Sequence, residues 1–366
     1  MIDIYKHAFS LDTVGLHRFY NLLGKIISEE FESNVYEIYF IDNIYADLDT
    51  LVLHLSPQFS LLCRDIKAEY KAIFPVIDFL NPRPFWRDNL EKFNILLSFS
   101  TFVDIGCNQL GFPSTHKLYY PVYPSGHNFA KKVEKESKFT FLTIENAHWR
   151  KGTKDLITAF EKIFSNNKDV QLIIRSAGPF PKHQVELLNS IHAPNIIPIF
   201  DGYFGRCDIS DLFLKSHCYV SNTRGEMLGL TMFEAVEAGL PVIAPMGTKD
   251  IPLPFYEYIG IQPSILYTIG KYQEIGLQPG FFEISNSIGF FTDMDNLSDS
   301  LYEMYKNYEK YTNIAPAYQK LKQFNKEQFI QKFYQIIGGY NENIVYWRKP
   351  IYAHSDGNGQ SIRKID

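Results

Sequence analysis

The sequence predicts an α/β protein made of two doubly wound domains, and three observations lead there. Short β-branched or aromatic runs alternate with longer amphipathic stretches, the pattern of parallel strands joined by crossover helices. The 366 residues exceed twice the roughly 150 expected of one domain. Near the middle, residues 121–126 (PVYPSG) and the polar run 131–138 interrupt the alternation, as an interdomain linker would.

In the first half the strands fall at residues 1–5, 35–40, 50–55, 94–98 and 117–120, with helices at 15–30 and 58–72. The second half alternates more cleanly. Strands are expected at 140–144, 170–176, 196–200, 218–221 and 241–244, with helices at 153–164, 184–192, 209–215 and 230–238 between them. Residues 252–280 carry many Pro, Gly and Tyr without a period, and read as an insertion or a long functional loop. Helices return at 296–308 and 326–337, and the polar stretch 354–366 reads as a frayed end.

Composition removes several function classes. Apolar residues make up 45% and charged ones 21%, enough core and little enough charge to exclude a disordered chain. The balance of 36 basic against 41 acidic residues gives a net charge of −5, so no broad positive field exists to displace counterions from nucleic acid. Cys63, Cys107, Cys207 and Cys218 are scattered without a C-x-x-C pair, which argues against a zinc ribbon or a disulfide framework and for a reducing, cytoplasmic setting. Asp3, Lys6 and His7 stand where an export signal needs its apolar core, and no window reaches the ~18 apolar residues of a membrane span.

The densest chemistry lies at residues 221–245, SNTRGEMLGLTMFEAVEAGLPVIAP: strand end, glycine turn, helix, glycine stop, strand. Glu226 and Glu234 are eight apart, roughly two helical turns, so one belongs to the turn and the other to the helix. Gly229 admits close backbone approach, and a helix N-terminus favours phosphate oxygens. The residues alone are compatible with a diphosphate site in which Glu226 accepts from sugar hydroxyls and Glu234 from a ribose. On spacing alone, an acidic turn beside a solvated helix face is the commoner reading.

This segment resembles the E-x7-E segment of retaining GT-B glycosyltransferases of family 4, whose usual form is E-G-F-G-L-x-x-x-E-A followed by G-x-P-V-I-A. Glu226, Gly229, Leu230, Glu234, Ala235, Gly239, Pro241, Val242, Ile243 and Ala244 match it in order, while Met227 and Leu228 replace the usual Gly and Phe. Residues 139–144, Lys151-Gly152, 155–164 and the LIIRSAGP run at 172–179 are similar to that family's donor-domain strand, K-G turn, helix and second strand. In the first half the likeness is fainter, resting on Val14-Gly15-Leu16-His17-Arg18, on residues 51–54 and on residues 94–103 with 119–124.

The resemblance implies a GT-B architecture, two Rossmann-like domains facing across a cleft. Residues 1–130 would form the acceptor side and 131–340 the donor side, with a helix near 340–355 packing back on the first. It implies transfer of a hexose-type sugar, with retained anomeric configuration, from a UDP- or GDP-sugar to a saccharide or lipid-linked acceptor in surface polysaccharide or glycolipid synthesis. No cofactor or metal is expected. Glu226 would hold the donor sugar, Glu234 the ribose and Lys151 the diphosphate. Gly15 and the run Met227, Leu228, Gly229, Leu230, Thr231 would line the donor, and His54 would either cap the sugar or be a core histidine pointing along its strand. The expected partners are these two substrates, with contact at the inner membrane face and self-association both compatible.

Three departures matter. The Arg that usually precedes the K-G lysine by five or six residues is replaced by Glu145 or Asn146, leaving Arg150, Arg175 or Arg224 to supply a second cation. Met227 and Leu228 would crowd the backbone near the sugar. The usual histidine position holds Ser56, with His54 and His7 as substitutes. A catalytically silent subunit of the same fold and a sugar-nucleotide epimerase are the alternatives. Residues 81–87 (NPRPFWR) suit an acceptor or lipid headgroup, or else a loop packing Trp86, and Tyr256, Tyr258, Tyr267 and Tyr272 point to an interdomain or oligomer contact.

Overall fold

Each half of the chain closes its own sheet in the computed structural model, which describes residues 1–7, 14–38, 43–45, 50–55, 65–77, 80, 82, 85–145, 149–177, 181–201, 209–268, 270–275, 287–339 and 363–364. The chain divides into two compact units. One comprises residues 1–77, 81–120 and 326–366, the other residues 78–80 and 121–325.

The first unit holds β1 (Ile2–His7), α1 (Val14–Glu30), β2 (Ser33–Ile38), β3 (Asn43–Tyr45), β4 (Leu51–Leu55), β5 (Asp65–Lys67), β6 (Tyr70–Ile73), α2 (Phe85–Leu90), β7 (Ile95–Ser98), α3 (Thr101–Gln109) and β8 (His116–Lys117). Its sheet runs β2-β1-β4-β6-β7-β8, all parallel. The order reverses between β1 and β4, where Tyr5 lies beside His54. Ile2, Ile4, Leu51 and Leu53 are fully buried, and α1 covers them with Tyr20, Leu23 and Ile27, a stripe at helical spacing.

The second unit holds β9 (Phe139–Ile144), α4 (Thr153–Phe164), β10 (Val170–Ala177), α5 (Pro181–Leu188), β11 (Ile196–Asp201), α6 (Ile209–Lys215), β12 (Cys218–Val220), α7 (Leu230–Glu237), β13 (Val242–Pro245), α8 (Pro254–Ile259), β14 (Ile265–Thr268), β15 (Gly270–Ile275), β16 (Ser287–Thr292), α9 (Met294–Lys306) and α10 (Ala315–Leu321). Its parallel sheet has the order β11-β10-β9-β12-β13-β14. By chain order that is 3-2-1-4-5-6, so the direction of winding reverses between β9 and β12. Phe141, Phe160, Phe164, Leu172 and Val220 fill the core on one face.

After Asn325 the chain returns to the first unit as α11 (Lys326–Gly338). Phe333 meets Phe31 edge-on at 5.6 Å, and Lys326 pairs with Glu29 and Glu30, each at 2.9 Å. The short β17 (Arg363–Lys364), within the stretch expected to fray, pairs antiparallel with β2. The helix expected near 340–355 lies outside the described residues.

The doubly wound two-sheet expectation holds, with local corrections. The helix placed at 58–72 is strand over its described part, β5 and β6. β6 lies between β4 and β7, and its consecutive residues Ala72 and Ile73, with Phe74 just beyond it, are all fully buried, so this run lacks the strand's two-residue period. Over its described part, residues 252–268 and 270–275, the stretch expected as a loop carries α8, β14 and β15. Pro254 opens α8 with a preset φ, and β14 becomes the sixth sheet strand. Tyr258 is buried and packs on Phe324 at 4.5 Å, and the half-buried Tyr256 packs on Tyr267 at 5.3 Å, all within the second unit. Tyr272's side chain lies outside the described residues. Phe85 and Trp86 begin α2 rather than a loop, while 81 and 83–84 lie outside the described residues.

Candidate active site

Two loops leave the carboxyl ends of β9 and β12, the strands that flank the winding reversal, where open α/β sheets place their ligands. After β9 come Glu145 and then, past undescribed residues 146–148, a 3₁₀ turn at Trp149–Lys151 that runs into α4. After β12 come residues 221–229, which run into α7.

The loops are stitched together. Asn222 Nδ2 donates to Gly152 O at 3.1 Å, and the Arg224 amide donates to Arg150 O at 2.7 Å. Gly152 is needed there: its φ is +63°, and a Cβ would stand 2.2 Å from Asn222 O. Gly229, with φ +78°, precedes α7 in the same left-handed conformation. Tyr219 Oη donates to Thr231 Oγ1 at 2.8 Å, tying the first turn of α7 to the end of β12.

At the junction Lys151 Nζ donates to Glu226 Oε2. Arg150 Nη1 lies 3.3 Å from the same oxygen and donates to Gly225 O at 2.6 Å. Burial would raise the Glu226 carboxyl, but the charges and hydrogen bonds of Lys151 and Arg150 outweigh it and hold the group well below the usual carboxylate range. The structure thus brings Glu226, Lys151 and Arg150 together.

The other candidate cations have different company. Arg224 pairs with Asp155 on α4 at 2.6 Å and lies over the rings of Phe291 at 4.7 Å and Trp149 at 5.9 Å. Arg175 is buried on β10, its carbonyl accepting from the Glu145 amide at 3.0 Å. Arg150 is therefore the second cation at the Glu226 carboxylate. Met227 and Leu228 are buried, 5% and 2% exposed, so both side chains are enclosed by protein. Leu230 and Thr231 form the first turn of α7, and Glu234 lies further along it, also buried. Gly15 is in the first turn of α1. His54 is on β4 and His7 on β1, with both side chains outside the described residues, as is Ser56 altogether.

Two residues were not singled out as site groups by the sequence. Glu145 ends β9 and accepts from Ser221 Oγ at 2.9 Å. Burial pushes its carboxyl up to about 7, against the lowering influence of Lys151, the Ser221 hydrogen bond and Arg150. Its signal was the position itself, a carboxyl where the family pattern has a cation. His127 places Nε2 3.4 Å from Glu234 Oε1, and nothing in local spacing announces that pair. Among the described residues no group of three or more His, Cys, Asp or Glu is placed to hold a metal ion, and no helix is long and apolar enough to cross a membrane.

Residues 125–248 match the sequence model of the family glycosyl transferases group 1. An uncharacterised glycosyltransferase of Methanocaldococcus jannaschii is 24% identical over 217 residues, 57% of this chain and 52% of that protein. The alpha-monoglucosyldiacylglycerol synthase of Streptococcus pneumoniae is 23% identical over 105 residues, 29% of this chain and 24% of that protein. The chain thus spans about half or less of these curated relatives. The crystal structure of Anabaena HepE in complex with UDP and glucose superposes with a TM-score of 0.62 at 15% identity, over 93% of this chain and all of that one. The fold is that of GT-B glycosyltransferases, and the stretch holding Lys151, Arg150, Glu226 and Glu234 lies wholly within a match to glycosyl transferases group 1.

Proposed function

We propose that the protein is a retaining glycosyltransferase that moves a hexose-type sugar from a UDP- or GDP-sugar to a saccharide or lipid-linked acceptor, without a metal. The observation that carries this reading is the convergence of Lys151 and Arg150 on Glu226 at the winding reversal, beside the glycine-led start of α7. As the glycosidic bond stretches, charge gathers on the departing diphosphate. Fixed cations and a helix N-terminus stabilise that charge more in the transition state than in the ground state.

In this reading Lys151 and Arg150 turn from Glu226 to the diphosphate, the freed Glu226 carboxylate accepts from the sugar hydroxyls, and Glu234 accepts from the ribose. His54 is the proposed cap on the sugar. The UDP and glucose named with HepE make a UDP-sugar the first donor to try, and the glycolipid product named for the pneumococcal relative supports a lipid-linked acceptor in surface glycolipid or polysaccharide synthesis. Such an acceptor would place the protein in the cytoplasm, at the inner membrane face.

The test is donor hydrolysis and transfer by the purified protein with UDP- and GDP-sugars, alongside Glu226→Ala. Transfer and donor binding that survive this substitution unchanged would remove the site assignment. A catalytically silent subunit is the second reading, favoured by Glu145, a carboxyl among the cations meant for an anion. Failure of every UDP- and GDP-sugar to bind decides for it.

A further inference from the structure

Ser125 and His127 both meet α7. The Ser125 amide donates to Glu237 Oε2 at 2.9 Å, and His127 Nε2 lies 3.4 Å from Glu234 Oε1. Glu234 and Glu237 are three apart and share a helix face. The side chains of His127 and Glu234 are only 18% and 4% exposed. The imidazole is itself held in place: the His127 amide donates to Ser125 Oγ at 3.3 Å, its ring lies 5.5 Å from Phe129, and Phe129 meets Phe213 edge-on at 5.8 Å. Thr231, one turn earlier on the same face, accepts from Tyr219. The buried Glu234 carboxylate thus meets an imidazole that is itself anchored, on a helix face tied to its surroundings through Thr231 and Glu237.

A buried carboxylate with no fixed neighbour samples several rotamers, and ordering it costs free energy when a ligand binds. One held by an imidazole has already lost that freedom. A site built to meet hydroxyl groups then discriminates strongly against a ligand lacking them.

We propose that His127 is a positioning residue for Glu234, fixing the carboxylate that meets the ribose hydroxyls of the donor and so setting how well the site distinguishes a ribonucleotide from its deoxy counterpart. This rests on the function proposed above, in which Glu234 faces the ribose.

The experiment is calorimetric titration of UDP and 2′,3′-dideoxy-UDP, with the GDP pair in parallel, into the unsubstituted protein, His127→Ala, His127→Gln and Glu234→Gln. The unsubstituted protein is expected to prefer the ribonucleotide by on the order of tenfold or more. His127→Ala is expected to lose most of that preference, by weakening UDP and leaving the dideoxy form alone. His127→Gln, which keeps an N–H donor, should recover it in part. Adding His127→Ala to Glu234→Gln should cost nothing further, since both act through one group. A purely structural role would weaken both nucleotides by the same factor and leave their ratio intact. A ratio retained in His127→Ala, with clear discrimination by the unsubstituted protein, overturns the inference alone. Absence of binding of both UDP and GDP to the unsubstituted protein overturns the functional reading and this inference with it.

Discussion

Lys151 and Glu226 come from different loops and meet through a direct hydrogen bond between ammonium and carboxylate, with Arg150 on the same oxygen. The pair closes the junction between the ends of β9 and β12. Its charges offset one another without a ligand and are available to be redistributed when an anion arrives.

Lys151→Gln should therefore remove one of two cations from the proposed diphosphate site while Arg150 still neutralises Glu226. The expected loss is about 10²-fold to 10³-fold in turnover, the size usual for one preorganised charge-stabilising donor. Steady-state kinetics with the identified donor checks it, and a melting temperature within a few degrees of the unsubstituted protein shows that the fold is intact.

Glu145 makes stability depend on pH in a definite direction. Its carboxyl titrates near 7 in the folded protein against 4.5 for the free group, so the folded state binds the proton more tightly. The resulting stabilisation is full below pH 4.5 and is lost as pH rises to 7. Glu145→Gln should flatten this dependence and leave the protein more stable than the original at pH 8, by on the order of 2 kcal/mol after allowance for solvent screening. Urea titrations at pH 5 and pH 8 measure both values.

Gly152→Ala should be costly at both levels. It places a side chain in a left-handed conformation and directs its Cβ onto the Asn222 carbonyl oxygen, backbone that cannot yield cheaply. A loss of about 2 kcal/mol or more is expected, together with weaker nucleotide binding because the Lys151 turn must shift. Denaturant unfolding and calorimetry with UDP read the two effects.

Arg224→Lys keeps the charge but gives up the planar group lying over Phe291 and Trp149 and the fixed fork that meets Asp155. Destabilisation of about 1 kcal/mol is expected, with catalysis reduced much less than by Lys151→Gln. A comparable collapse of turnover would instead make Arg224 the diphosphate cation.

The elements of the second unit were legible because a doubly wound half declares itself: α4 and α6 fall at the residues expected, and the Glu226 segment carries fixed glycines that only a tight strand–helix turn needs. Lys151 and Glu226 were legible as a pair for the same reason, each being tied to a local turn motif. The interior strand β6 was misread because burial on both faces erases the two-residue period. Tyr258 turned out to fill its own unit, because aromatic richness says nothing about which neighbour a ring will meet. Glu145 and His127 escaped because their importance comes from packing: Glu145 acquires its unusual affinity for a proton only inside the folded junction, and His127 finds Glu234 only where the segment before β9 packs on α7.

The return of α11 to the first unit has a consequence for the order of synthesis. Phe31 and the acidic end of α1 wait for Phe333 and Lys326, which leave the ribosome only after the entire second unit has been made. The half that emerges first is thus the half that can be finished last, and Phe31 at the end of α1 is the apolar surface that a chaperone would have to guard while the second unit is still being translated.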